Sequence, residues 1–189
     1  MRLLLMLAIL FFICPISSLL YANEKNDDIQ YEFKRSETYY SFRGSFVVDA
    51  DYECLVNVLF DFKHIKNFVN NAEDIILVQH KKNWYDVCYV FKKFFITHKS
   101  VYRKTLKLDE NKIVFEMLPE NKSSMLFPTF ISSSGYYKII AQKTAYKVEY
   151  FQECKIKPSF MKDIYIKSAE KEAVDFLSEL KKYVQRTCH

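Results

Sequence analysis

The sequence predicts an α+β domain in which a run of antiparallel strands is closed by one long amphipathic helix near the C-terminal end. Three observations lead there. Apolar and polar residues alternate through several short stretches between Tyr31 and Cys154, the pattern of strands with one face buried. Polar turns such as Lys81-Lys82-Asn83 and Asp109-Glu110-Asn111 separate some of those stretches at hairpin spacing. After Pro158 the apolar period lengthens to about 3.6 residues and holds to Val184.

The chain opens with a segment of different character. Arg2 supplies a positive start, residues 3–13 are wholly apolar, and Pro15, Ser17 and Ser18 interrupt the run before Leu20-Tyr21-Ala22. This order matches a secretory signal cut before Asn23. Residues 1–22 are therefore expected to be a signal peptide, and the protein to be exported to a periplasm or the extracellular space. An uncleaved membrane anchor would need about 20 apolar residues, and Pro15 ends the run short of that. Ile13 is too large for the small residue that precedes a lipoprotein cysteine, so Cys14 is not read as one.

Residues 23–35 are read as a flexible lead to the domain, polar and charged from Asn23 to Gln30, while Tyr31 to Val48 already looks extended. Tyr39, Tyr40, Phe42, Phe46, Val47 and Val48 favour a first strand, with Gly44 as a candidate bulge. Asp49, Ala50 and Asp51 end it and offer a helix cap. Leu55, Val56, Val58, Leu59 and Phe62 then fall at helical spacing, and Ile65, Phe68 and Val69 mark a second short helix over 64–70. Strands are expected at 75–80, 84–91, 94–108 and 112–118, an irregular stretch at 119–128, and the last two strands at 136–142 and 145–154. Ser159 is placed to cap the long helix. Its apolar stripe reads Met161, Ile164, Tyr165, Ala169, Ala173, Phe176, Leu177, Leu180 and Val184. Glu170, Lys171, Glu172, Asp175, Glu179, Lys181 and Lys182 take the opposite face.

Composition excludes several function classes. The 189 residues suffice for one domain with a real core, and a hydrophobic content of 50% rules out global disorder. Two glycines are too few for a phosphate-cradling loop. Loss of the signal takes the 28 basic residues to 27 against 23 acidic ones, a net charge of +4. That charge is scattered in pairs such as Lys81-Lys82, Lys92-Lys93 and Lys181-Lys182, so no nucleic-acid partner is expected. Transient contact with an anionic membrane surface is compatible with it. Four cysteines follow the signal, Cys54, Cys88, Cys154 and Cys188, and an oxidising compartment permits three full pairings among them. None has zinc-site spacing, and neither metal nor other cofactor is expected.

No metalloprotease helix, nucleophile elbow, P-loop or dinucleotide fingerprint is present. Within one expected strand, His98 is a candidate acid–base group if it faces inward. Arg103 has the opposite parity and, were that the inward one, would meet an acidic head group. Cys54 and Cys88 are nucleophile types without an identifiable base, and Asn121-Lys122-Ser123 is a glycosylation sequon.

Three stretches resemble START-like proteins: Gly44-Ser45-Phe46-Val47-Val48-Asp49-Ala50, Leu55-Val56-Asn57-Val58-Leu59-Phe60-Asp61-Phe62, and Ile65-Lys66-Asn67-Phe68. Gly135-Tyr136-Tyr137, with Tyr where Trp is usual, Val148-Glu149-Tyr150 and Pro158 extend the likeness, which covers residues 36–186. This superfamily, also called SRPBCC or helix-grip, includes lipid-transfer START domains, polyketide cyclase-like proteins and coenzyme Q-binding proteins. The resemblance implies a helix-grip fold over 36–189: a curved antiparallel β-sheet wrapped around the long C-terminal α-helix, with two short helices after the first strand. It further implies a tunnel between sheet and helix holding a hydrophobic small molecule or lipid, in a non-catalytic carrier expected to be a monomer. A cyclase-like or hydrolase-like enzyme using the same cavity is the alternative.

The candidate ligand contacts are Tyr89, Phe91, Phe115, Met117, Tyr137, Ile139, Val148 and Tyr150, which fall on consistent strand alternations, with Ala173 on the inward face of the helix. In the helix-grip arrangement the far end of the long helix rests over the two short ones. The resemblance therefore implies a disulfide between Cys54 and Cys188. Cys154, just before that helix, would be about 40 Å from Cys188 at a rise of about 1.5 Å per residue.

Overall fold

The structure, a computed structural model, describes residues 29–93, 96–119, 130–157 and 162–188. The expected signal 1–22, the start of the lead, most of the irregular stretch, the Ser159 cap, Met161 and the Asn121 sequon lie outside those residues. In chain order the elements are β1 (Ile29–Arg35), β2 (Tyr39–Val48), α1 (Tyr52–Phe60), α2 (Phe62–Ile65), β3 (Asp74–Lys81), β4 (Trp84–Lys93) and β5 (Ile96–Lys107). A 3-10 turn (Leu108–Glu110) leads to β6 (Lys112–Met117), β7 (Phe130–Ala141), β8 (Tyr146–Ile156) and α3 (Lys162–Thr187). The strands form one antiparallel sheet of eight, ordered β1-β2-β8-β7-β6-β5-β4-β3. The segment carrying α1 and α2 thus connects β2, near one edge, to β3 at the other.

Residues 29–35 are strand, not flexible lead. β1 pairs with β2 from Ile29–Phe46 to Arg35–Tyr40. Its alternate residues Tyr31 and Phe33 stack on Phe42 at 5.8 Å and on Tyr40 at 5.7 Å. Single polar residues, Gln30 and Glu32, separate Ile29, Tyr31 and Phe33, so the extended reading from Tyr31 holds and the flexible lead drawn to residue 35 does not.

β2 carries no bulge. Gly44 keeps register with Tyr31 on one side and Tyr150 on the other. Its missing side chain serves the long helix instead. A Cβ at Gly44 would stand 2.6 Å from Leu177 Cδ2 and 2.8 Å from a Phe42 ring carbon, so one of these buried groups would have to move.

Two aspartates punctuate the helical segment. The Asp51 carboxylate accepts the Cys54 N–H at 2.8 Å and starts α1, as the sequence predicts. Asp61 ends α1 and caps α2, accepting the Lys63 N–H at 3.0 Å. That cap starts the second helix at Phe62 and confines it to Phe62–Ile65, earlier and shorter than the expected 64–70. Phe68 is nevertheless buried from the turn that follows. β7 starts at Phe130 and β8 runs to Ile156, both beyond the expected limits, because Phe130 and Ile156 still pair in the ladder. The serines at 132–134 look like loop residues in sequence, but β8 pairs with all three and β6 with Ser134, which holds them in the sheet.

α3 has 26 residues, a length of roughly 39 Å at about 1.5 Å per residue. It packs mainly on β1, β2 and α1. Ala169, Leu177, Leu180 and Val184 are buried as the stripe predicts, but Ile164 is 62% exposed and Lys181 is buried. Both corrections follow from helical phase. At about 100° per residue Ile164 lies roughly 160° from Ile166, which is the buried residue of that turn, while Lys181 lies at the margin of the stripe. The Lys181 stem covers apolar surface there. At the far end of α3 a disulfide joins Cys188 to Cys54 with Cα atoms 5.6 Å apart, and the Cys188 carbonyl accepts the Asp51 N–H at 3.3 Å. The C-terminal end of α3 is thereby held on α1. Cys154 instead lies under the N-terminal half of α3, with Tyr40, Ile156, Ile166 and Ala169.

Two outcomes are expected. Gly44→Ala should cost about 1–3 kcal/mol in urea unfolding by overpacking. Combined with Leu177→Ala it should cost less than the sum of the single changes, because the two sites share one contact; strict additivity would show that the glycine is not there for the helix. Replacing Cys54 and Cys188 by Ser should lower stability by about 2–4 kcal/mol. Reductant should destabilise the parent protein to the same extent and leave the double variant unaffected.

Candidate functional site

The inner face of the sheet is built by alternation. β4 turns Tyr85, Val87, Tyr89 and Phe91 inward, β5 Tyr102 and Lys104, β6 Ile113, Phe115 and Met117, β7 Tyr137 and Ile139, and β8 Val148 and Tyr150. The rings meet in an unbroken series. Phe91 touches Tyr89 at 6.3 Å between centroids, Tyr89 touches Tyr102 at 5.7 Å, and Tyr102 touches Phe115 at 6.4 Å. Phe115 then meets Tyr137 at 5.7 Å and Tyr150 at 5.8 Å, and Tyr150 meets Phe176 of α3 at 5.3 Å. These separations are those of favourable offset and edge contacts.

The predicted contact residues all lie on or against this surface. Phe115, Tyr137, Ile139, Val148 and Tyr150 are buried in the main core, where Val148 pairs with both Ile139 and Phe46. Tyr89 and Ala173 are half-buried against that core, and Phe91 and Met117 are half-buried beside it. Gly135 makes room for the series. It stands opposite Phe115 in the ladder, and a Cβ there would lie 2.5 Å from Phe115 Cζ and 2.1 Å from the Phe151 carbonyl oxygen.

Two polar residues sit among the rings, and sequence reading missed both. Lys104 is 3% exposed, and its Nζ lies 5.2 Å from the Tyr137 ring centroid, within cation–π range. Tyr85 and Phe115 are its cross-strand neighbours. Burial pulls its amine down to about 7. Tyr85 is packed against Phe60 at 5.2 Å and Phe62 at 6.3 Å, and its buried hydroxyl has no hydrogen-bond partner. Burial raises the pKa of Tyr85 far above the usual tyrosine range, so the hydroxyl stays protonated. The available signal was the shared parity of Tyr102, Lys104 and Leu106, a cation alternating with apolar residues.

A second buried polar group is fully satisfied. Tyr150 Oη donates to Gln152 Oε1 at 2.8 Å, Gln152 Nε2 donates to Ser133 Oγ at 3.2 Å, and Cys154 Sγ lies 3.2 Å from Ser133 Oγ. Burial pushes the Cys154 thiol up to about 11, which keeps it neutral and a poor nucleophile.

Arg103 faces the other way. On the outer face its Nε and Nη2 donate to the two oxygens of Asp86 at 2.8 and 3.0 Å, and its guanidinium lies 4.2 Å from the Trp84 ring centroid. Gln79 also donates to Asp86. Arg103 therefore belongs to a polar ladder of Gln79, Asp86, Arg103 and Glu116 across four strands. The parity that would have brought it to an acidic head group is the outward one. His98 pairs with Phe91 in the backbone ladder, but its side chain lies outside the described residues. Cys54 has no free thiol, and Cys88 is buried on β4. Among the described residues no group of His, Cys, Asp and Glu is placed to hold a metal ion. An open surface depression at Lys82, Asn83 and the β5 end with its 3-10 turn lies away from the ring series.

The buried amine fixes the sign of a pH dependence. Lys104 binds a proton less readily in the folded chain than in the unfolded one, so its burial destabilises fully below pH 7 and this penalty fades as pH rises towards its ordinary value. Stability should rise between about pH 7 and pH 10 by up to roughly 4 kcal/mol from this group. Lys104→Met should be more stable at neutral pH and show a flatter profile in denaturant titrations; parallel profiles would contradict the buried, desolvated amine.

No protein-family model matches this chain, and no curated protein matches it in sequence. Solved structures do. A STAR-related lipid transfer protein from Xanthomonas axonopodis superposes with a TM-score of 0.65 at 15% identity, covering 84% of this chain and 94% of that one. The Zhui aromatase/cyclase from Streptomyces sp. R1128 gives 0.62 at 10% identity, covering 84% and 94%. Norcoclaurine synthase from Thalictrum flavum gives 0.56 at 13% identity, covering 78% and 88%. At such identities the likeness is one of fold. The chain has the α+β helix-grip fold of START-like proteins, an antiparallel sheet gripping a long C-terminal helix.

Proposed function

We propose that this protein is an exported binder or carrier of a hydrophobic small molecule or lipid, held between the inner face of the sheet and α3. The observation that carries the reading is the ring series from Phe91 to Phe176. Its β8 and β7 members are buried, while Phe91, Tyr89, Tyr102 and Met117 are only partly buried although they point inward. α3 packs mainly on β1 and β2, and the partly exposed inward positions lie instead on β4, β5 and β6, where a ligand would find apolar surface to cover. Fold neighbours that include a lipid transfer protein and an aromatase/cyclase support a ligand-holding role by analogy.

Export is supported by the Arg2 start, the apolar run and the Leu20-Tyr21-Ala22 step, and a Cys54–Cys188 disulfide suits an oxidising compartment. The protein would work as a monomer that meets a membrane surface only transiently. A cyclase-like or hydrolase-like activity has less support: Arg103 is engaged on the outer face and the Cys154 thiol is held neutral.

Native mass spectrometry of protein exported from a producing cell tests both halves. The expected result is a chain beginning at Asn23 with a hydrophobe that organic extraction releases. An apolar fluorescent lipid should bind with little dependence on salt, since apolar burial drives it, and Ala173→Trp should weaken it several-fold. A folded protein that neither yields nor binds a hydrophobe ends the carrier reading, and exported chains starting at Met1 end the signal-peptide reading.

A further inference from the structure

Among the described inward positions Lys104 and Tyr85 are both buried and polar, the Lys104 amine without a carboxylate beside it and the Tyr85 hydroxyl without a hydrogen-bond partner. A buried ammonium costs several kcal/mol unless a counter-charge meets it, and a buried hydroxyl without an acceptor carries its own penalty. Among the described residues no carboxylate forms an ion pair with Lys104, and the Tyr85 hydroxyl donates to nothing. The two stand directly opposite each other on β5 and β4, where facing side chains begin about 5 Å apart. Arg103 and Asp86, on the same two strands, instead pair with each other on the outer face. Two adjacent donors, one without a counter-charge and one without an acceptor, lie buried among the rings.

We propose that Lys104 and Tyr85 form an anion-recognition site, so that the ligand is an amphiphile whose single negatively charged head sits on Lys104 Nζ and Tyr85 Oη while its apolar tail lies along the rings. This rests on the carrier reading and specifies its ligand class. The Lys104 charge would also be steadied by the face of Tyr137, and the tail would follow Tyr102, Tyr89 and Phe91 towards the partly buried end of the series. A ligand anion there supplies the counter-charge and the acceptor in one group. The ligand thereby removes a penalty that the empty protein carries.

The pH dependence follows from the neighbouring groups. Tyr85 and Tyr89 on β4, Tyr137 on β7 and Tyr150 on β8 face the site, all with pKa values raised by burial, so they stay neutral to above pH 9. Tyr102 lies on the same strand as Lys104, Phe115 on β6 is uncharged, and Asp61 at the α1–α2 junction is ionised throughout, its carboxyl held below the usual range despite desolvation by its hydrogen bonds to Lys63. Among the described groups that face the site, Lys104 is therefore the one that changes charge near neutrality.

The test compares three probes of equal chain length, a fatty acid, its methyl ester and a monoalkyl phosphate, by displacement of an apolar fluorescent lipid from the mature protein. The acid or the phosphate should bind more tightly than the ester, and whichever is preferred identifies the head group. Lys104→Met should lower binding of that anion by at least about tenfold and leave the ester unchanged; Tyr85→Phe should lower it by a smaller factor without loss of thermal stability. In the parent protein anion affinity should fall as pH rises above 7, by up to about tenfold per unit, while ester affinity stays flat. Equal binding of anions and ester, or anion binding untouched by Lys104→Met, overturns the head-group site and leaves the carrier reading standing. Failure of all three probes to bind overturns both. Should Lys104→Met not fold, the pH profiles of the parent protein decide alone.

Discussion

The close approach of α3 to β2 at Gly44 is the constraint on which the rest of the molecule depends. Leu177 lies against a backbone that carries no side chain, and the neighbouring Phe42 ring fills the remaining space. At that crossing the helix settles on the β1–β2 side of the sheet, and Leu180 and Val184 continue the buried contact towards α1. The disulfide from Cys188 to Cys54 and the hydrogen bond from the Asp51 N–H to the Cys188 carbonyl hold the end of α3 on α1. A helix anchored in this way leaves the inner face of β4 to β6 to its own aromatic residues. The candidate site is thus a consequence of where the helix is allowed to lie.

Polar groups are handled differently on the two faces of the sheet. Outside, Asp86 is almost fully buried yet receives two hydrogen bonds from Arg103 and one from Gln79, and its carboxyl is held below the usual range mainly by the Arg103 hydrogen bonds. Inside, the chain of Tyr150, Gln152, Ser133 and Cys154 is also complete. Lys104 and Tyr85 are the departure from this pattern. Among the described residues the Tyr85 hydroxyl is the buried side-chain polar atom without a partner, and it stands beside an amine without a counter-charge, where a ligand anion would relieve both. The same arrangement links occupancy to stability, since a bound anion would lower the desolvation penalty that the empty site retains.

The aromatic abundance of the chain finds a structural use here. Rings in contact across β4, β5, β6, β7 and β8 form a surface that remains apolar without requiring each position to interlock with the helix. Gly135 permits Phe115 to lie over its neighbouring strand, and so joins the β5 rings to those of β7 and β8. A surface of this kind tolerates tails of different shape, because stacking and apolar contact impose little directional demand. Specificity would then reside in the head group.

How much of this was legible in sequence depends on whether a feature is local. The period change at the start of α3, the Asp51 cap and the hairpin turns are written in neighbouring residues, so the element order, the helix stripe and most inward ring positions could be read directly. The start of β1, the lower part of β7 and the exact phase of α3 could not, because Ser132, Ser133 and Ser134 become strand only through their partners and Ile164 is apolar yet turned to solvent. The site shows the division most sharply. Sequence reading assigned Arg103 a head-group role only if its parity pointed inward and passed over Lys104, whereas the sheet turns Arg103 outward to Asp86 and Lys104 inward to Tyr137. Alternation along a strand establishes that neighbouring residues face opposite ways. Which of them faces the core is decided only when the strand pairs with its neighbours and the sheet closes on the helix, because burial belongs to the assembled layers and not to the strand alone.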